Sequence, residues 1–195
     1  MALTLNGSNN TIAGVAVGGL PDGIVDTDML AADAVTSPKI GSKTFASYAM
    51  LGDRKAADAD GGTFTAGAHR VRDLTHIEFD PDSIVSISSN QFTLQAGTYL
   101  IKWKAPAWKV DHHCTRLKNA TDGTANGEGT SGFSASGAQQ NDYSSGVRRI
   151  TIGGAKAFEI NHRCSTSASG NGFGAWASPN GNYSWYTIVE IYKEA

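Results

Sequence analysis

The sequence predicts an all-β sandwich or barrel preceded by an extended leader, and three observations carry that prediction. From Phe45 onward, short apolar-alternating runs are divided by clusters of Gly, Asn, Asp and Ser, which punctuate strands. Glycine contributes 23 of the 195 residues, well above the roughly 7% of average proteins, and favours turns over helix interiors. No apolar period of 3.6 is sustained anywhere after residue 45.

The leader spans residues 1–44 and the head domain residues 45–195. Residues 2–24 carry no charge except Asp22, so they have too little bulk for a core of their own and too little polarity for a solvated tail. Ordering against a neighbouring copy or another protein is expected, through Leu5, Ile12, Val15, Val17, Leu20 and Ile24, and then Met29 and Leu30. Leu20-Pro21-Asp22-Gly23 is a turn, with Pro presetting φ and Gly taking a positive one. Asp26 or Thr27 caps a short helical turn carrying Met29 and Leu30, which Ser37-Pro38 ends.

In the head, alternation places strands near 45–51, 63–71, 73–79, 84–88, 91–95, 98–105, 108–119, 128–135, 146–152, 156–164, 172–177 and 184–193. Residues 92–119 read as two long strands separated by a bend at Ala105-Pro106-Ala107, because proline cannot donate to a ladder. Residues 54–62 form a charged loop, and residues 123–141 form the longest polar, glycine-rich stretch. The closing run 183–193 is nearly continuously apolar, which predicts a central strand buried on both faces.

Charged residues make up 17% of the chain, and the net charge of -2 is scattered, with Arg148-Arg149 the densest basic site. Nucleic acid is therefore excluded as a partner, since phosphate binding needs a clustered positive footprint. No apolar run reaches the roughly 20 residues that span a bilayer, and the first residues lack an export-signal pattern, so no membrane insertion is expected. Two cysteines do not make a disulfide framework, which fits synthesis in a reducing compartment.

Gly97-Thr98-Tyr99, Trp103 to Ala107, Val110 to Asn119, Phe158 to Cys164 and Asn171-Gly172-Phe173-Gly174 together carry a resemblance. The head resembles the globular heads of tailed-bacteriophage structural proteins, which are similar to the trimeric jelly roll of tumour-necrosis-factor-type cytokines and complement-type heads. Residues 3–40 likewise resemble the N-terminal segments of tail-fibre-like proteins. The resemblance implies a jelly-roll sandwich head, a homotrimer, attachment to another virion protein through the leader, and a place in the virion, on the tail or capsid surface. Tyr48, Phe64, Tyr99, Trp103, Phe173, Trp176, Trp185, Tyr186 and Tyr192 exceed what one small sandwich must hold, so some of these rings are expected at subunit interfaces. His113 and Arg116 match recurring positions of those heads, whereas Cys114 stands where a polar residue is common.

Three kinds of chemistry compete for the remaining polar residues. His112 and Cys114 share one strand face, as do His162 and Cys164; placed face to face they would make a Cys₂His₂ zinc set, or Cys114 and Cys164 a disulfide, and the alternative is packing and hydrogen bonding. Asp53, Asp58, Asp60, Asp73, Glu78, Asp80 and Asp82 include candidates for a glycosidase pair, although aspartates beside Gly and Pro form turns. Ser131 and Ser134 lack a nucleophile-elbow context, Gly170 to Gly174 precedes no helix pattern, and no repeat of a β-helical depolymerase is visible. No catalysis and no cofactor are therefore expected.

Binding suits such a head better. Loops 123–141 and 165–182 would display Phe133, Tyr143, Trp176 and Tyr183 toward a host surface glycan or protein. The leading expectation is a tail fibre or receptor-binding protein. A capsid decoration or head-fibre protein is the alternative, and a polysaccharide-degrading tip is third.

Overall fold

The computed structural model describes residues 4–6, 11–13, 45–176 and 182–195. It distinguishes two units, Met1–Lys43 and Thr44–Ala195. In the first, β1 (Thr4–Asn6) pairs antiparallel with β2 (Thr11–Ala13), Leu5 standing opposite Ile12. Val15, Val17, Leu20, Ile24, Met29 and Leu30, with the expected helical turn, lie outside the described residues.

The second unit contains strands and no helix among its described residues. Its strands are β3 (Phe45–Ala56), β4 (Arg70–Val71), β5 (His76–Phe79), β6 (Val85–Ser88), β7 (Gln91–Leu94) and β8 (Gly97–Trp108), then β9 (Asp111–Asn119), β10 (Thr124–Ser134), β11 (Asn141–Ile152), β12 (Lys156–Cys164) and β13 (Tyr183–Glu194). One sheet runs β11-β8-β13-β3-β5; the other runs β10-β9-β12-β7-β6, with β4 also on β12. Every ladder is antiparallel. The chain crosses between sheets after β3, β4, β5, β7, β8, β10, β11 and β12, and β13 inserts between β3 and β8, and β12 between β7 and β9. That nested order is a jelly roll, as expected.

Period-two alternation builds the interior. Tyr99, Ile101, Trp103, Ala105 and Ala107 of β8 point inward with Ala49, Leu51, Val189 and Ile191, against Phe92, Leu94, Leu117, Phe158 and Ile160 of the facing sheet. Each of these larger side chains contributes about 1.5–3 kcal/mol on burial. Phe92 and Phe158 stack at 5.7 Å.

Pro106 does not divide the strand. β8 pairs with β11 through Trp108, with Pro106 opposite Tyr143. The ladder to β13 has already ended at Lys104, so the missing N–H removes no bond on that side. The turn comes three residues later, where Lys109 and Asp111 take φ of 54° and 57° and the Lys109 N–H donates to Ser134 Oγ.

The glycine-rich stretch 123–141 is largely strand, not loop, because its glycines mark close approach. A Cβ at Gly129 would lie 2.3 Å from Thr115 Oγ1, and one at Gly132 would lie 2.4 Å from Asp142 Oδ2 and 2.5 Å from His113 Cε1. Only glycine lets β10 lie that close to the interior. Conversely, where strands are expected at 63–71 and 172–177, residues 63–69 and the described residues 172–176 are loops, strand structure being confined to β4 at Arg70–Val71, and the two loop regions are bonded to each other. Gly61 N–H reaches Gly174 O at 2.8 Å, and Phe64 and Ala168 exchange bonds. β3 extends through Ala56, into the charged loop expected at 54–62. β13 is central but has only one buried face, since Val189 and Ile191 are enclosed while Ile188 and Glu190 are half-buried on the outside.

One residue joins both sheets and the loops. Arg72 is 1% exposed, and its own N–H bonds Ile160 O of β12. Its guanidinium donates to Thr187 Oγ1 of β13 at 2.8 Å, Pro106 O of β8 at 3.2 Å and Phe173 O at 2.9 Å, and lies 4.3 Å from the Phe173 ring centroid. Arg72→Ala leaves three acceptors enclosed without donors and opens a cavity. A loss of about 3–5 kcal/mol is expected, read as a lower urea midpoint with little change in slope.

Candidate interaction surfaces and the buried histidine pair

Above the aliphatic core the interior is polar. Trp103 Nε1 donates to Thr115 Oγ1 at 2.8 Å, Thr115 N–H donates to Ser144 Oγ at 2.9 Å, and Ser144 Oγ lies 2.6 Å from Thr130 O. Next to this chain, His113 Nε2 stands 3.1 Å from Asp142 Oδ2, and His113 Nδ1 stands 3.0 Å from His162 Nε2. His162 is fully buried against Phe64, with ring centroids 4.8 Å apart. A second small apolar cluster, Phe64, Ala107, Val110 and Cys164, closes this end.

The bonds determine the tautomers. An ionised Asp142 only accepts, so His113 carries its proton on Nε2 and presents Nδ1 as an acceptor; His162 therefore donates from Nε2. His162 Nδ1 is left as a buried lone pair with no partner among the described residues. Burial, with Arg72 and His113 close by, holds His162 well below the ordinary histidine value of 6.5. Burial also lowers His113, with Asp142 acting in the opposite direction. The pair is neutral at neutral pH.

The proposed Cys₂His₂ set is not assembled, because register decides which residues meet. Cys164 stands opposite His113, and Cys114 opposite Arg163. His113, His162 and Cys164 face inward, whereas His112 and Cys114 face outward with Arg163. The two thiols thus lie on opposite faces of the sheet, neither linked to each other nor in a common ligand sphere. Burial pushes the Cys164 thiol up to about 11 and raises Cys114 as well, away from the thiolate that nucleophilic attack needs. Arg116 donates twice to Asn161 Oδ1, at 3.1 and 3.0 Å, tying β9 to β12.

The carboxylates are similarly committed. Asp80 accepts the N–H groups of Ile84 and Val85 at 2.9 and 3.1 Å, the turn-forming role expected of it. Asp53 is buried beside Lys55, and desolvation raises its carboxyl. Ser134 Oγ, at the end of β10, donates to Gln140 O at 3.2 Å and accepts from the Lys109 N–H of the β8–β9 turn.

Of the four receptor-loop candidates, three converge. Tyr143, Trp176 and Tyr183 line one depression of about 150 Å³ with Asn141, Trp185 and Tyr186. Tyr143 and Tyr183 lie on strands rather than loops, flanked by cations: Lys104 Nζ is 4.1 Å from the Tyr143 ring and Arg54 Cζ is 4.3 Å from the Tyr183 ring. Phe133 sits elsewhere, on β10, its ring 4.8 Å from His112.

The outer face of the β11-β8-β13-β3-β5 sheet is unlike a solvated one. Val147 is 53% exposed, Phe79 51% and Tyr143 45%, and a groove of about 640 Å³ is lined by Met50, Ile188 and Val147 between Lys102, Lys104 and Glu190. Tyr48, Phe79 and Tyr192 cluster beside it, with centroids 5.8 and 4.9 Å from Tyr48, and Glu190 accepts from both tyrosine hydroxyls. Of the nine aromatics set against a single core, Phe64, Tyr99, Trp103 and Tyr186 are buried, whereas Tyr48, Trp185 and Tyr192 are only half-buried.

No protein-family model and no curated protein matches the chain. Among solved structures it is similar to murine APRIL at pH 8.0, at 10% identity and a TM-score of 0.46, over 75% of this chain and 98% of that one. It is also similar to the globular domain of zebrafish complement 1qA protein, at 14% identity and a TM-score of 0.42, over 75% and 95%. Murine APRIL at pH 5.0 gives 8% identity and a TM-score of 0.48, over 75% and 98%. The fold assignment rests on the strand order of this chain itself.

The histidine pair dictates a pH dependence. Both rings titrate below 6.5 in the fold and near 6.5 in the unfolded chain, so below that value the unfolded chain binds more protons. Stability is therefore complete above about pH 6.5 and is lost as pH falls toward the lower folded values. Urea midpoints at about pH 7.5 and 5.5 are expected to differ in the native protein and to differ less in His162→Gln.

Proposed function

We propose that this protein is a non-enzymatic, homotrimeric structural protein of a tailed-bacteriophage particle, a tail fibre or receptor-binding protein whose leader attaches it and whose jelly-roll head projects outward. The observation that carries the self-association is the uncovered outer face of the β11-β8-β13-β3-β5 sheet. Aromatic and aliphatic side chains on β11, β13, β3 and β5 have the composition of an interface core, with Lys102 and Lys104 of β8 and Glu190 of β13 able to pair across it. A threefold ring needs a heterologous contact, in which one part of this face meets a different part of the neighbouring copy and the rotation closes. The place in a phage particle is supported by the resemblance of the head and leader residues described above. The convergence of Tyr143, Trp176 and Tyr183 supports a receptor contact near one end of the head.

Light scattering is expected to give three times the 20.4 kDa subunit mass, and Val147→Glu to yield smaller species with an unchanged strand content in circular dichroism. A native protein that scatters as a monomer overturns the trimer. Removal of residues 2–41 is expected to abolish incorporation into particles, and imaging of intact particles is expected to place the head at the tail in a few trimers. Hundreds of copies over the capsid would replace the fibre by a decoration protein.

A further inference from the structure

We propose that the outer groove between β10, β9 and β12 binds an anionic saccharide, with its acid group on Arg163 and the face of its ring on Phe133 and His112. The choice of a saccharide rests on the receptor-binding reading; the anion preference rests on the groove alone.

The register lays out the site. Ser131, Cys114 and Arg163 form one row across three strands, and Phe133 and His112 form the next, continued by Ser165. Neighbouring strands lie about 4.8 Å apart and alternate residues about 6.8 Å apart, so the two rows frame a patch of roughly 10 by 7 Å, enough for one pyranose ring. The groove above it encloses about 350 Å³ and is lined by His112, Cys114, Ser131, Gly132, Arg163 and Ser165. Gly132 lies between Ser131 and Phe133 with its open side toward the interior, which sets this part of β10 close against His113 and Asp142.

The wall chemistry selects the ligand. Phe133 is 51% exposed and its ring packs on the His112 ring at 4.8 Å, a rigid apolar wall matching the C–H face of a sugar. Arg163 is exposed at the opposite corner and has no hydrogen-bond or ion-pair partner among the described residues. Its cationic neighbours differ in this respect: Arg116 is held by Asn161, and Lys118 by Glu159. Glu128 stands opposite Arg116 and its Oε2 reaches Cys114 Sγ, in the middle of the row that carries Arg163, at 4.0 Å, so the acid group is confined to the Arg163 end. A guanidinium with open donors beside an aromatic wall favours a planar carboxylate or a phosphate over a neutral hydroxyl. The Ser131 hydroxyl, on the floor between them, is free to bond a ring hydroxyl.

Saturation-transfer-difference NMR on the full chain tests this with three probes: sodium glucuronate, glucose 6-phosphate and glucose. Saturable transfer is expected for at least one of the acids, weakening at high ionic strength and exceeding that of glucose. Arg163→Gln is expected to lower that affinity about tenfold, Phe133→Ala severalfold, and Arg148→Gln, on β11, not at all. The ranking of the two acids identifies the acid group. Equal transfer to glucose, an undiminished signal in Arg163→Gln, or displacement of glucose 6-phosphate by equimolar inorganic phosphate overturns the proposal. These readouts are independent of subunit number and of position in a particle, so their failure is distinct from failure of the virion reading.

Discussion

The buried guanidinium of Arg72 is the constraint on which the upper half of the sandwich depends. A charge enclosed among apolar strands is tolerable only if its donors are used, and here they go to Thr187 of one strand, Pro106 of another and Phe173 of a loop. Burial lowers Arg72 to about 10, with Asp53 and Asp73 acting in the opposite direction, so it remains cationic at neutral pH. Its presence then governs what surrounds it. Burial keeps His113 and His162 neutral, the positive charge of Arg72 adds to that effect, and the two rings are bonded in a row with Asp142. The loops at 61–64 and 168–174 are bonded to each other and positioned by the same side chain, through Phe173.

Much of this architecture is legible in the sequence, and what is not has identifiable causes. Alternation located most strands of the head to within a few residues, because period two reports one buried face wherever a sheet has a core on one side. Glycine misled at 123–141, since the same residue type serves a turn and a close approach. Gly129 and Gly132 are distinguished from turn glycines only by what lies against them, Thr115 and His113, which are distant in sequence. Arg72 gave a signal that went unread. It shares strand parity with buried Leu74 in Arg70-Val71-Arg72-Asp73-Leu74, so a charge stood where alternation called for an inward side chain.

The histidines and cysteines show where parity stops. That His112 shares a face with Cys114, and His162 with Cys164, follows from the strand period and holds. Which of those faces meet is a matter of register between β9 and β12, a nonlocal quantity that a one-residue slip inverts. With Cys164 opposite His113, the inner face receives His113, His162 and Cys164, and the outer face receives His112, Cys114 and Arg163. A single potential metal site thus resolves into two unrelated places, a buried proton-sharing pair and an open groove.

The outer faces of the two sheets divide the proposed roles between them. On β11-β8-β13-β3-β5 the exposed side chains include Phe79, Tyr143 and Val147 beside half-buried Met50 and Ile188, with Lys102 and Lys104 of β8 among them. On β10-β9-β12 they are His112, Arg116, Lys118 and Arg163, which water satisfies readily, with Phe133 the large apolar side chain among them. Covering the first face removes apolar area at about 25 cal/mol per Å², whereas covering the second would desolvate charges with little return. Self-association through the first face would thus leave the second open. A groove that stays exposed on every copy is repeated in the oligomer, and weak affinity for one saccharide unit is multiplied when several engage one glycan surface. Millimolar binding at a single Arg163 is therefore compatible with firm attachment of the assembled head.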